Sequence, residues 1–102
     1  MAQRHRIASV EDVPPGTAKA FSVGDRTIAI FNVEGRFFAI DDLCTHDHAS
    51  LAEGTLDGKV VVCPWHFAKF DLETGKALCF PAEEDVRSYP AFAVGDSIEV
   101  EL

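Results

Sequence analysis

The 102-residue sequence predicts an all-β chain, folded as an antiparallel sandwich or a partly open barrel. Three observations carry that expectation. Apolar runs are short and rich in Val, Ile, Phe and Thr. Turn pairs containing glycine separate them regularly. The C-terminal run alternates cleanly, with Ile98, Val100 and Leu102 on one face and Ser97, Glu99 and Glu101 on the other.

Taken in order, Pro14-Pro15-Gly16 rules out regular structure at that point. Strands are expected over residues 17–23, 26–33 and 36–41, with Gly24-Asp25 and Glu34-Gly35 as hairpin turns between them. Further strands are expected over 59–63, 69–72, 76–80 and 97–102, with turns at Asp57-Gly58, Thr74-Gly75 and Gly95-Asp96. A short helix is expected around residues 82–87. No internal repeat, low-complexity tract or linker interrupts the chain, so residues 1–102 are read as one domain. A hydrophobic content of 47% is enough for a modest core at this length.

No apolar run approaches the roughly 20 residues of a membrane span. The opening MAQRHRIASVEDVPPG lacks the apolar stretch and cleavage site of a secretory signal, so a cytoplasmic protein is expected. A formal net charge of −8 argues against nucleic acid and anionic membranes as partners and suits a basic protein surface. Asp41-Asp42 and Glu83-Glu84-Asp85 are candidates for an acidic docking rim, weighed against ordinary solvated surface.

The chemistry concentrates in Cys44-Thr45-His46 and Cys63-Pro64-Trp65-His66. In an extended stretch positions i and i+2 point the same way, so Cys44 and His46 can converge on one centre. Pro64 favours a tight turn that brings Cys63 and His66 to within about 7 Å. Two Cys/His pairs at chelating spacing leave two candidates, a tetrahedral structural zinc or an iron–sulfur cluster in which two histidines replace two cysteines. Cys79, the third cysteine, has no partner for a disulfide framework, which fits a reducing compartment. No Gly-rich phosphate loop or nucleophile arrangement is present, so the chain is read as a non-enzyme.

Cys44-x-His46, sixteen intervening residues and Cys63-x-x-His66 resemble the binding motif of Rieske [2Fe–2S] proteins. CPWHFAKFDLETGKAL resembles their second cluster loop and following hairpin. DVPPGTAKAF, GTLDGKVVVC and SYPAFAVGDSIEVEL extend the likeness to the small ferredoxins of bacterial aromatic-ring-hydroxylating dioxygenases, of the naphthalene and biphenyl type. The resemblance implies one [2Fe–2S] cluster per chain, with Cys44 and Cys63 on one iron and His46 and His66 on the other. It also implies a Rieske-type base domain with a small cluster-binding lobe over residues 43–67. The implied role is one-electron carriage from an NAD(P)H-dependent ferredoxin reductase to a terminal oxygenase, by a monomer in transient complexes. The runner-up is the Rieske-like small subunit of an assimilatory nitrite reductase. A zinc-stabilised binding module stands third.

Departures from the high-potential members refine this. Their extra loop cysteines correspond to Ala49 and Trp65 here, so that disulfide cannot form. Their hydroxyl donors two and four residues after the second histidine correspond to Ala68 and Phe70, which implies a potential at the low end of the Rieske range, roughly −150 mV. Trp65 and Phe67 are expected to cover the cluster or line the docking rim. His48 is read as exposed and not a ligand, His5 as a surface residue and Cys79 as packing. Pro81 is a candidate for a third supporting loop.

Overall fold

The computed structural model describes residues 3–43, 50–64, 68–78 and 84–102. Among them run ten strands: β1 (Arg4–Ser9), β2 (Ala18–Val23), β3 (Arg26–Val33), β4 (Arg36–Asp41), β5 (Thr55–Asp57), β6 (Val60–Val62), β7 (Lys69–Asp71), β8 (Ser88–Tyr89), β9 (Ala91–Val94) and β10 (Ser97–Glu101). They form three antiparallel sheets, ordered β2-β3-β4-β8, β1-β10-β9 and β5-β6-β7. The described helical residues are two single 3₁₀ turns, Val10–Asp12 and Leu51–Glu53. The all-β expectation is met.

The four-stranded sheet is the middle layer. Ile28, Ala29, Ile30 and Phe31 of β3 are all fully buried, the continuous apolar run of a strand covered on both faces. Strand alternation then sorts them. Ala29 and Phe31, with Phe38 and Ile40 of β4, share a core with Leu51, Val61, Phe70 and Leu72 on the β5-β6-β7 side. Ile28, Ile30 and Ala39 share a second core with Ala8, Val13, Ile98 and Val100 on the β1-β10-β9 side.

Turn chemistry fixes the registers. Val33 pairs with Arg36, and both intervening residues, Glu34 and Gly35, have positive φ (54° and 91°), the mark of a type I′ hairpin. Buried Asn32 braces that turn: its Oδ1 accepts from Gly35 N at 2.8 Å and its Nδ2 donates to Val13 O at 2.8 Å. The turn expected at Asp57-Gly58 lies one residue later. Asp57 pairs with Val60, leaving Gly58 and Lys59 as the loop.

Other expectations are corrected. The strand over 76–80 is reduced, among described residues, to one bridge between Phe70 and Ala77. The chain there is turning back, with Gly75 N donating to Asp71 O and Asp71 N to Lys76 O. The helix around 82–87 is absent from its described residues, 84–87. Their polar groups bond outward instead: Asp85 Oδ1 accepts from Ala77 N, Val86 N donates to Gly75 O, and Arg87 O accepts from Asp41 N. β1, β5, β8 and β9 were not among the expected strands.

Candidate metal centre

Of the four candidate ligands, Cys63 lies within the described residues; Cys44, His46 and His66 lie outside them, as do His48, Trp65, Phe67, Cys79 and Pro81. What the structure places is the scaffold from which each motif segment departs and to which it returns.

Cys63 follows directly on β6 and is fully buried. Its N–H donates to Ala68 O at 2.7 Å, one step beyond the Val62–Lys69 pair of the β6–β7 hairpin. The two described ends of the second motif segment are therefore joined, with the candidate ligand Cys63 at one of them, next to exposed Pro64.

The first segment is closed by a different device. Leu43 and Ser50 form an antiparallel bridge. Leu51 N donates to Asp42 O at 2.6 Å, and Asp42 N donates to Thr27 O at 3.0 Å. The Asp42 carboxylate Oδ1 accepts from both Ser50 Oγ and Ala52 N, each at 2.9 Å. Phe38, Ile40 and Asp42 share one phase of the strand, so the carboxylate continues the buried face of β4.

These two bases are joined. Leu51, Val61, Cys63 and Ala68 are fully buried in the same core. Gly54 lies flat on β6: a Cβ there would overlap Val62 O and fall 3.1 Å from Val61 Cγ2 and 3.2 Å from Leu51 O. A third base sits alongside, where Leu78 N donates to Lys69 O at 2.8 Å and Asp85 and Val86 return to Ala77 and Gly75.

The described donor fits an iron or zinc ligand. The ligating form of cysteine is the thiolate, and among apolar side chains a bound cation must balance its charge in place of water. The described residues alone contain no group of three or more Cys, His, Asp or Glu able to hold a metal.

The acidic-rim expectation is corrected for one pair. Asp42 is 4% exposed and spent on the loop clamp. Asp41 is half-buried and its Oδ1 accepts from Tyr89 Oη at 2.6 Å. Burial, and then that Asp41 contact, push the Tyr89 phenol above its ordinary value. Glu83 lies outside the described residues; Glu84 and Asp85 are exposed. At the end of the small sheet away from Cys63, Lys59 Nζ donates to Glu73 Oε1 at 2.8 Å and holds that carboxyl below the usual range, with Arg36 contributing from 3.9 Å.

Sequence reasoning missed Asp42, Ser50 and Gly54 as parts of the site. The signal available for Asp42 was its place in the apolar phase of β4, two residues beyond Ile40.

Comparison with known proteins bears on the whole chain. The profile of the family described as the Rieske [2Fe–2S] domain matches residues 3–90. The chain is 47% identical over 94 residues to the 3-phenylpropionate/cinnamic acid dioxygenase ferredoxin subunit of Shigella boydii serotype 4, covering 91% of this chain and 88% of that protein. It is 42% identical over 83 residues to the ferredoxin component of the naphthalene 1,2-dioxygenase/salicylate 5-hydroxylase systems of a Ralstonia species, covering 81% and 80%. Among solved structures, it superposes with a TM-score of 0.86 and 33% identity on a chain from the complex of reduced oxygenase and oxidized ferredoxin in carbazole 1,9a-dioxygenase, covering 95% of this chain and 91% of that one.

Proposed function

The chain belongs to the Rieske [2Fe–2S] domain family, and from that membership we propose that it is the one-electron carrier of a multicomponent aromatic-ring-hydroxylating dioxygenase system. The observation that carries the reading is the placement of Cys44-x-His46 and Cys63-x-x-His66 inside a match to dioxygenase ferredoxins that spans 91% of the chain. When bound, the cluster supplies a one-electron couple at a potential above that of all-cysteine clusters.

Cys44 and Cys63 hold one iron in this reading, and His46 and His66 hold the other. Residues 43–67 form the cluster-binding lobe of a single domain over residues 1–102. Two thiolates and two neutral imidazoles leave the centre less negative than four thiolates, so an added electron meets less repulsion. The second ring nitrogen of each ligating histidine is free to face a partner. The partners are an NAD(P)H-dependent ferredoxin reductase and a terminal oxygenase, met by a monomer in transient complexes. The relative solved with its oxygenase supports the second of these. The ferredoxin names of the relatives favour a mobile carrier over a fixed nitrite reductase subunit.

Acidic residues outnumber basic ones, 17 to 9, which suits basic protein partners over nucleic acid. Among the described residues no helix is long and apolar enough to cross a membrane. We place the protein in the cytoplasm, where its donor cofactor and thiol ligands are both kept reduced.

The test is low-temperature EPR of the purified protein before and after dithionite reduction. A rhombic signal that appears only on reduction, lost or converted in His46→Cys and His66→Cys but kept in His48→Ala, is the expected result. Silence in both samples with stoichiometric zinc, from anaerobic and iron-replete growth, refutes the carrier. Loss of the signal in His48→Ala alone overturns the ligand assignment.

A further inference from the structure

We propose that Asp42 is a positioning residue for the cluster, its buried carboxylate holding closed the base of the segment that carries Cys44 and His46. The inference rests on the carrier reading and deepens it.

Among the described residues Asp42 is the one charged side chain buried to this degree, 4% exposed. A carboxylate is taken out of water only where hydrogen bonds replace its hydration. Here every described bond of the side chain runs across the motif segment to its far side. Oδ1 accepts from Ser50 Oγ and from Ala52 N, both at 2.9 Å. The backbone repeats the closure, since Leu51 N donates to Asp42 O. Meanwhile Asp42 N is anchored on Thr27 O, near the start of β3 in the middle sheet. The residue thus fixes both ends of the segment to one rigid support.

That support reaches the other ligand pair. Downstream of Ala52, Gly54 presses on Val62 O without room for a Cβ, and the residue that follows Val62, the last of β6, is Cys63. A shift of the strap 50–54 is therefore transmitted to the backbone that presents Cys63. Closing a loop costs chain entropy that a ligand must otherwise supply on binding. Asp42 meets part of that cost in advance, which is what a preorganised site requires.

The experiment compares wild type, Asp42→Asn, Asp42→Ala and Ser50→Ala in the full cluster-bound chain. Readouts are iron per chain, EPR g-values after reduction, the rate of bleaching by a chelator, and the circular-dichroism melt. Asp42→Ala is expected to bleach on the order of tenfold faster at temperatures where its fold is intact, because two half-buried donors lose their acceptor. Its rhombic lines are expected to shift or broaden. Ser50→Ala should move the same way by less. Asp42→Asn should stay near wild type, since its amide oxygen still accepts both bonds.

Unchanged bleaching and EPR in Asp42→Ala and Ser50→Ala overturn the proposal, and so does damage in Asp42→Asn equal to that in Asp42→Ala, which would make charge the cause and not acceptor geometry. If Asp42→Ala fails to fold, Ser50→Ala against wild type decides. A wild-type chain with no [2Fe–2S] signal overturns the carrier reading and this proposal together. A wild-type signal with unaltered variants overturns this proposal alone.

Discussion

Ala68 and Phe70, just before and within β7, are fully buried, and neither carries a hydroxyl. Hydrogen bonds to a cluster stabilise its reduced, more negative state, so their absence lowers the potential. A redox titration is expected to give a midpoint near about −150 mV; a clearly positive value would sink the argument. Tyr89 gives a second prediction. Its phenol donates to Asp41 at 2.6 Å, with Arg26 Nη1 3.5 Å from the same oxygen. Burial and Asp41 raise its folded-state value above the ordinary 10.0. The folded state therefore holds this proton more tightly than the unfolded chain. The stabilisation is complete below pH 10 and is lost as pH rises through the folded value. Tyr89→Phe is expected to cost about 1 kcal/mol near neutral pH, with the gap narrowing above about pH 10. Urea unfolding of both proteins at the two pH values checks this, and a gap that widens refutes it. The neighbouring pair Asp41-Asp42 shows where reading residues from sequence stops. Two adjacent acids look like surface charge, and only their three-dimensional partners, Tyr89 from 48 residues downstream and Ser50 across a loop, turn both inward.

At the scale of elements, legibility followed from how each strand is buried. β3, β4 and β10 announced themselves because burial on one or both faces demands apolar runs or strict alternation. β1 did not, because Arg4, His5 and Arg6 are exposed and the strand is held by β10 from the far end of the chain. Its one cue is invisible locally: the Arg4 guanidinium stacks 3.8 Å from the Phe92 ring centroid and lies 3.8 Å from Glu99. β5 and β8 are three and two residues long, too short for a period to show. Of the strand expected over 76–80, the described residues 76–78 keep a single bridge beside a turn set by Gly75. That glycine has φ +76° and no room beside it, because a Cβ would overlap Val86 O; Gly24 has φ +64° and open space. Gly24→Ala is thus expected to cost about 1 kcal/mol from left-handed strain alone. Gly75→Ala adds a backbone clash and the loss of the bond from Val86 N, and is expected to cost about 3 kcal/mol or more. Equal thermal destabilisation of the two variants would show that the strap 84–88 yields at no cost.

Across the whole molecule, two cores share the middle sheet but stand in different relations to the metal. The core between the middle sheet and β1-β10-β9 contains Ile28, Ile30, Ile98 and Val100 but not Cys63, the described candidate ligand. The core beneath β5-β6-β7 contains Cys63 and Leu51, the described anchors of the two motif segments. Three of its strands are only three residues long apiece, and such short pairings are marginal without support from packing or a bound group. Metal binding in small domains is folding free energy, and it stabilises most the parts that supply ligands. Removal of the cluster is therefore expected to act on one layer. Amide hydrogen exchange of apo and cluster-bound protein should show protection falling on the order of 100-fold through residues 50–64 and 68–78. Amides of β10, whose buried side chains lie in the other core, and of β3, which is paired on both sides by β2 and β4, should keep most of theirs. Uniform loss over both layers would make the cluster the organiser of the entire chain. No loss anywhere would mean that the Asp42 clamp, the Gly54 contact and the shared core already hold the small sheet in its bound form, with the iron entering a finished site.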